Sequence, residues 1–420
     1  MDATDLQRFL SESARQAERS EIRELLKLIA RPEIISLAGG LPPPEAFPIE
    51  EVVDLLPAVL RRQGPAALQY GTTEGDAELR QELVKLMVEV EGEAFARRGA
   101  DEVLITTASQ QALDLCGRIF VSPGDAVIVG LPSYLGALGA FRASGARLFG
   151  IPLDEQGMRT DLLRSRLDEL RGEGVHPKLV YTVPDFDNPA GVTMSLERRR
   201  ELLAIAREFD LLVLEDSPYR QLRYVGETLP SLAALDPEGR VVAMYTFSKI
   251  LFPGLRLGWV VADAEIIAKL VVAKQSADVC TSRLTQLIGT EFLRAGRLLP
   301  HVERVRELYA EKRQVFLDAL DEHVDPAWGV SWTRPDGGLF LWMTLPDGLE
   351  SRELFDRAIR EQVAFVNGSA FHCDGSGRNT LRLNFSYPGP EKLRLAAERL
   401  ARCIGSMAGQ ASPATARQEA

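Results

Sequence analysis

Lys249 stands in "TFSKILFPGLRLGW" (246–259), where an apolar run meets a Pro-Gly turn, with Ser248 before it and Arg256 seven residues after it. A lysine at a strand end ordinarily keeps its ammonium in water. In a dry crevice beside other cations the same group loses part of its ammonium stability and becomes a usable amine nucleophile. Other chemically able residues recur at comparable places. Ser109 follows the apolar run "VLITT" (103–107), Tyr134 follows "AVIVG" (126–130), and Asn188 follows "LVYTV" (179–183). Asp216 and Tyr219 follow "LLVLE" (211–215), and Ser248 and Lys249 follow "VVAMYTF" (241–247). Taken singly, these are an N-cap, a packing aromatic, a turn former and a strand-end cap.

Taken in order they make a set. A helix start carrying a serine hydroxyl is an anion site, because free N–H groups and the helix dipole favour negative charge. Arg256 adds a planar donor fork suited to phosphate. An aspartate can hold a heteroaromatic nitrogen protonated, and a tyrosine can stack on the ring. Phosphate site, aldehyde-reactive amine, ring-nitrogen acid and ring stacker together describe a pocket for pyridoxal 5′-phosphate (PLP).

The elements that must position this set are legible in the apolar runs. Besides those above, "RLFGI" (147–151) and "GWVVA" (258–262) read as strands, and the runs suit strands buried on both faces. Periodic segments such as "SQQALDLCGRIF" and "SLERRRELLAIAREF" lie between them. Strand, helix, strand at this spacing predicts a largely parallel α/β sheet of about seven strands covered by helices. The link between 241–247 and 258–262 is too short for a helical crossover, which predicts one antiparallel strand there. In an open α/β sheet the ligand crevice lies beyond the carboxyl ends of the strands, where all the residues above fall.

The flanks read differently. "SEIRELLKLIA" (20–30) puts Ile22, Leu25, Leu26 and Ile29 on one helical face with Ser20 as N-cap, and "SLAGGLPPPEAFP" (36–48) is irregular chain. "GLFLWMTL" (338–345) and "TLRLNFS" (380–386) read as strands of a smaller α+β domain. The predicted organisation is an N-terminal helix and active-site segment (1–48) packing with the small domain, a large PLP-binding domain (49–295), a small domain (296–407) and a disordered tail (408–420).

With 420 residues, 45% hydrophobic and 26% charged, the chain has the composition of a soluble globular protein, and its length predicts two domains. A net charge of −11 argues against a nucleic-acid binder. No stretch approaches the roughly 20 apolar residues of a membrane helix, and "MDATDLQRFLSES" lacks a signal-peptide core. Cys116, Cys280, Cys373 and Cys403 are far apart, as are the four histidines, so neither a zinc site nor a disulfide framework is predicted. A cytoplasmic location fits reduced thiols.

The sequence resembles the class I/II aminotransferases of PLP fold type I, and within them the subgroup of 2-aminoadipate and kynurenine aminotransferases. The resemblance runs from "SEIRELLKLIARPEIISLAGGLPPPEAFP" through "LQYGTTEG", "VLITTASQQALDL", "PSYLGAL", "PDFDNPAG", "EDSPYR" and "SKILFPGLRLGW" to "RPDGGLFLWM" and "NTLRLNFS". It implies that Lys249 is the Schiff-base lysine, that Asp216 pairs with the pyridine nitrogen, that Tyr219 and Asn188 bond the ring hydroxyl, and that Tyr134 stacks on the ring. It implies further that Ser109, Gln110, Ser248 and Arg256 hold the phosphate, with Tyr70 reaching in from a second subunit of a homodimer. Arg382 would clamp the substrate carboxylate and Gly40 would line the substrate pocket. The implied reaction exchanges the amino group of an L-amino acid with a 2-oxo acid, 2-oxoglutarate being the expected acceptor.

Three departures from the family pattern stand out. Asp187 replaces a glutamine, Ala190 a threonine, and Ala108 a glycine before the phosphate-binding serine. A carboxylate beside Asn188 either alters the ring-hydroxyl environment, recruits a basic substrate, or faces away as a tolerated loop residue. Arg23 either pairs with an acidic substrate side chain or is a solvated helix residue. Two rival readings remain open on sequence: a PLP enzyme of this fold with an elimination, decarboxylation or oxidation outcome, and a PLP-sensing regulator. The regulator would carry an N-terminal winged helix, whereas this sequence starts directly with aminotransferase-like segments.

Overall fold

A computed structural model describes residues 8–11, 14–15 and 31–411. Arg23 and the helix expected over 20–30 lie outside the described residues. The strands in chain order are Ile35–Ser36 (β1), Val103–Thr106 (β2), Ala126–Leu131 (β3), Arg147–Asp154 (β4), Gly157–Met158 (β5), Leu179–Thr182 (β6) and Leu212–Asp216 (β7). They continue with Val241–Thr246 (β8), Gly258–Val261 (β9), Ser331–Trp332 (β10), Phe340–Thr344 (β11), Val363–Ala364 (β12), Val366–Asn367 (β13) and Thr380–Asn384 (β14).

The large sheet has the order β2-β9-β8-β7-β6-β3-β4-β5. Strands β4, β3, β6, β7 and β8 run parallel, and β9 is antiparallel to both its neighbours, as the short link predicts. The sheet has eight strands where about seven were expected. The extra one, β5, pairs Leu153 with Met158 and Asp154 with Gly157 in a turn-back at the edge, and two residues are too few to show a period. β2, β6, β8 and β9 are buried along their whole length, the pattern of strands covered on both faces.

The helices that matter here are Ala77–Glu91 (α1), Ala108–Phe120 (α2), Leu135–Ala143 (α3), Leu196–Glu208 (α4), Leu298–His323 (α5) and Pro390–Ala411 (α6). α2 buries Ala112, Leu113, Leu115 and Cys116 in the core of the large sheet. The second sheet, β10-β11-β14-β13, is antiparallel and has its own core around Leu341, Met343, Leu381, Leu383 and Phe385. The helix α5 belongs to both. Leu298, Val302, Val305 and Tyr309 pack in the large core, while Phe316, Leu317 and Leu320 pack in the small one. Helix α6 continues through Ala411, past the expected start of the tail at 408, because Leu400, Ile404 and Met407 extend its buried stripe.

β1 pairs in parallel with β12 in a separate two-stranded sheet, which ties the N-terminal segment to the small domain. Leu37 donates its N–H to Ala364 O at 2.7 Å and accepts from the Asn384 N–H at 2.8 Å. Residues 38–41 follow, and Gly40 O lies 2.7 Å from Nζ of Lys249 in the turn after β8. The "PPPEAFP" stretch holds one short 3-10 turn, Pro44–Ala46, which a proline at its first position permits.

Candidate active site

From β3 the chain crosses to β4 on one side and returns to β6 on the other, so the ends of β3 and β6 flank a topological switch point. A cavity of about 240 Å³ opens there. Ser109, Gln110, Tyr134, Asn188, Asp216, Tyr219, Ser248, Lys249 and Arg256 all line it, so the residues predicted after successive strands do meet in one crevice. Gly40 and Arg382 join through hydrogen bonds described below. Tyr70 does not reach this cavity and is 77% exposed on the chain's surface.

Lys249 lies in the turn after β8, and its Nζ donates to Gly40 O at 2.7 Å. Burial, with the charges of Arg382 and Arg256 adding to it, pushes its amine down to about 8. Asp216 ends β7, and its Oδ2 accepts from the Tyr181 hydroxyl at 2.9 Å. Its Oδ1 is buried with no partner among the described residues. Burial pushes this carboxyl up to about 7, opposed by the Tyr181 bond. An unpartnered carboxylate oxygen in a cavity wall is a vacancy for a cationic or N–H donor.

Asn188 joins two groups. Its Nδ2 donates to the Tyr219 hydroxyl at 3.2 Å, and its Oδ1 accepts from Arg382 Nη1 at 2.8 Å. Arg382 Nη2 donates to Ala38 O at 2.6 Å, while its Nε is buried without a partner among the described residues. The guanidinium lies 4.2 Å from the ring centre of Phe340 and 4.9 Å from that of Phe371. A Cβ on Gly40 would come 2.8 Å from Phe340 Cζ, so only glycine lets the segment pass this closely. The Tyr134 hydroxyl meets Gln110 Oε1 at 3.4 Å, and Gln110 Nε2 donates to Gly136 O at 3.0 Å.

The anion end of the cavity is built from turns. The N-cap of α2, Thr107, makes no side-chain capping bond, and Ser109 and Gln110 occupy the first helical turn. Ser248 N donates to Thr246 Oγ1 at 3.1 Å, which fixes the turn carrying Lys249. Arg256, on the exposed rim, takes φ 49°, and Ala108 takes φ 61°. Both are left-handed values that L-residues adopt at a cost, and such strain collects at functional sites.

Several residues that shape this site were not legible in the sequence. Tyr181 lies mid-strand among apolar neighbours, where a tyrosine reads as packing. A buried ionic network holds the loops after β6 and β7 together: Arg199 meets Asp185 at 2.7 Å, Arg220 meets Asp185 at 2.9 Å, and Arg220 also pairs with Glu91 of α1. Burial alone would raise the Asp185 carboxyl, but Arg199 and Arg220 outweigh it and hold it below the usual range. Phe340 comes beside Arg382 through the pairing of β11 with β14, and Phe371 through the turn Gly368–Phe371 that precedes β14. Among the described residues no cluster could hold a metal ion, and no helix is long and apolar enough to cross a membrane.

The residues present fit PLP: a buried amine, a buried unpartnered carboxylate oxygen, a helix start without a side-chain cap and a tyrosine, all lining one cavity. Fold and site together define a PLP enzyme of fold type I. The chain belongs to the aminotransferase class I and II family, which matches residues 32–400, and it is a transaminase. It is 45% identical over 400 residues to an aromatic-amino-acid aminotransferase of Thermococcus litoralis, covering 95% of each chain. It is 44% identical over 394 residues to a 2-aminoadipate transaminase of Thermus thermophilus, covering 93% of this chain and 95% of that one. A kynurenine aminotransferase of Pyrococcus horikoshii, solved in complex with PMP, superimposes with a TM-score of 0.92 at 46% identity, covering 96% of this chain and 98% of its own.

Proposed function

We propose that this transaminase moves the amino group of an L-amino acid with an aromatic or 2-aminoadipate-like side chain to 2-oxoglutarate. The placement of Lys249 Nζ and the unpartnered Asp216 Oδ1 on one cavity carries the reading. The names of the similar proteins support the substrate range.

Bound PLP supplies an aldehyde that takes up the amino group and a ring that withdraws the electrons left at the substrate Cα. Lys249 Nζ would remove the substrate Cα proton and deliver it to the former aldehyde carbon, so that the amino group stays with the cofactor, a task suited to an amine poised near 8. Asp216 Oδ1 holds the proton on the ring nitrogen. Tyr219 and Asn188 bind the ring hydroxyl, and Tyr134 covers the ring face. Ser109, Gln110, Ser248 and Arg256 bind the phosphate. Arg382 orients the substrate carboxylate, which aligns the Cα–H bond, and its unpartnered Nε supports that role.

We further propose a homodimer in which Tyr70 completes the partner's phosphate site and Arg23 meets acidic substrate side chains. Exposure of Tyr70 beside Leu68, also solvent-facing at 73%, supports a covered surface there. The two apolar cores support a large and a small domain, with the boundary falling inside α5 instead of at 295, and with Ile35 and Leu37 packing in the small core. The location proposed is the cytoplasm.

The test is a half-reaction. PLP-loaded protein is mixed with one amino acid at a time, without any oxo acid, and the visible spectrum is followed. Loss of the visible band to the pyridoxamine form, reversed by 2-oxoglutarate, is expected. Ammonia release without the pyridoxamine form would overturn the reading.

A further inference from the structure

We infer that Asp187 positions Asn188, and through it both the arginine and the tyrosine that Asn188 joins. The inference rests on the roles proposed above for Arg382 and Tyr219.

Asp187 is 5% exposed and does not line the cavity. Its Oδ1 accepts the Ala190 N–H at 3.0 Å, closing a side-chain turn across Asn188 and Pro189. Its own N–H donates to Val192 O at 2.8 Å, and its carbonyl accepts from the Gly191 N–H at 2.7 Å. The N–H, the carbonyl and one carboxylate oxygen of this residue are thus spent on the turn that presents the Asn188 side chain.

The far end of the turn is fixed as well. Gly191 has φ 71°, and a Cβ there would sit 2.6 Å from Phe340 O. Phe340 is the residue whose ring underlies Arg382. The turn therefore joins the Arg382 platform at Gly191 and the Arg382 hydrogen bond at Asn188, and the Asp187 carboxylate sets the distance between them. Burial pushes the Asp187 carboxyl up to about 7, the Ala190 N–H opposing and the charge of Asp216 adding. A residue kept buried against that cost is doing structural work that a solvated loop position does not need.

The reach is specific. Asparagine keeps an acceptor at the same place, alanine removes it, and glutamate carries it one methylene too far. Asp187→Ala is expected to raise the KM for amino acid and for oxo acid about tenfold, the size of one lost hydrogen bond to a charged group, with kcat changed less than about threefold. Asp187→Asn should bring KM back to within about threefold of the parent. A second readout avoids turnover: calorimetric binding of a 2-methyl amino acid, which has no Cα proton to lose, should weaken in step with KM.

Unchanged KM and unchanged calorimetric affinity in Asp187→Ala would overturn the inference. So would an Asp187→Asn variant as impaired as Asp187→Ala. If Asp187→Ala does not fold, Asp187→Glu replaces it, with the same increase supporting the inference and unchanged KM overturning it. Failure of the parent enzyme to convert its cofactor in the half-reaction would instead strike the transamination reading. The calorimetric comparison would still decide the role of Asp187.

Discussion

Tyr181 donates its hydroxyl hydrogen to Asp216 Oδ2 at 2.9 Å, from the strand next to the one that Asp216 ends. The bond favours the ionised carboxylate against its burial and leaves Oδ1 without a partner among the described residues. Tyr181→Phe removes the only opposing influence on a carboxyl that burial already raises to about 7. The Asp216 carboxyl then rises further, so ionisation needs higher pH. The acid limb of PLP affinity is expected to move upward by about one pH unit, the worth of one hydrogen bond. Measured PLP dissociation constants across pH check this, and a limb that stays in place refutes it.

Lys249 gives a prediction of the same kind with the opposite sign. Its reactive form is the free amine, whose fraction grows as pH rises through the amine's own midpoint. With that midpoint depressed to about 8, capture of PLP by the cofactor-free chain should accelerate between about pH 7 and 9 and then level off. Stopped-flow absorbance reads the rate directly. Acceleration continuing to the ordinary lysine midpoint near 10.4 would show that burial and the two arginines do not act on this amine.

Gly40→Ala places a methyl group 2.8 Å from Phe340 Cζ. Either Phe340 moves from beneath Arg382 or the 38–41 segment lifts, and overpacking of this kind costs about 1–3 kcal/mol. The expected result is a KM raised at least about tenfold for both substrates with PLP affinity retained. Steady-state kinetics beside a PLP titration separates the two, and a parent-like KM would show that the contact relaxes freely.

Ala108 and Ala112 lie one turn apart in α2, yet glycine should affect them differently. Ala108 has φ 61°, a conformation in which glycine escapes about 1–2 kcal/mol of strain, which offsets the lost methyl and the added chain entropy. Ala112 is fully buried inside the helix and has no such offset. Denaturation of the PLP-free chain should show Ala108→Gly near or above the parent and Ala112→Gly lower by about 1 kcal/mol or more. Equal losses would mean the left-handed residue is not strained.

What the sequence made legible was chemistry placed at strand ends. Asp216, Asn188 and Lys249 each follow an apolar run, and an open sheet gathers such positions at one edge whatever the details of packing. Supports that arise from pairing between distant segments stayed hidden. Asp185 meets Arg199 and Arg220 only after α4 folds back, and Phe371 reaches Arg382 through a turn that precedes β14. The edge strand β5 and the last turn of α6 were missed for a plainer reason: two residues carry no period, and small residues at a helix end resemble a tail.

The helix α5 runs for 26 residues with its first half in one core and its second half in the other. That makes the two parts inseparable as fragments. A piece ending at 295 would keep a groove shaped for Leu298, Val302, Val305 and Tyr309 and have nothing to fill it. The remaining piece would carry those four side chains as a bare flank. Genetic dissection of this enzyme is therefore expected to yield insoluble halves wherever the cut falls ahead of His323, and the small part can be exchanged with a relative's only if the whole rod travels with it.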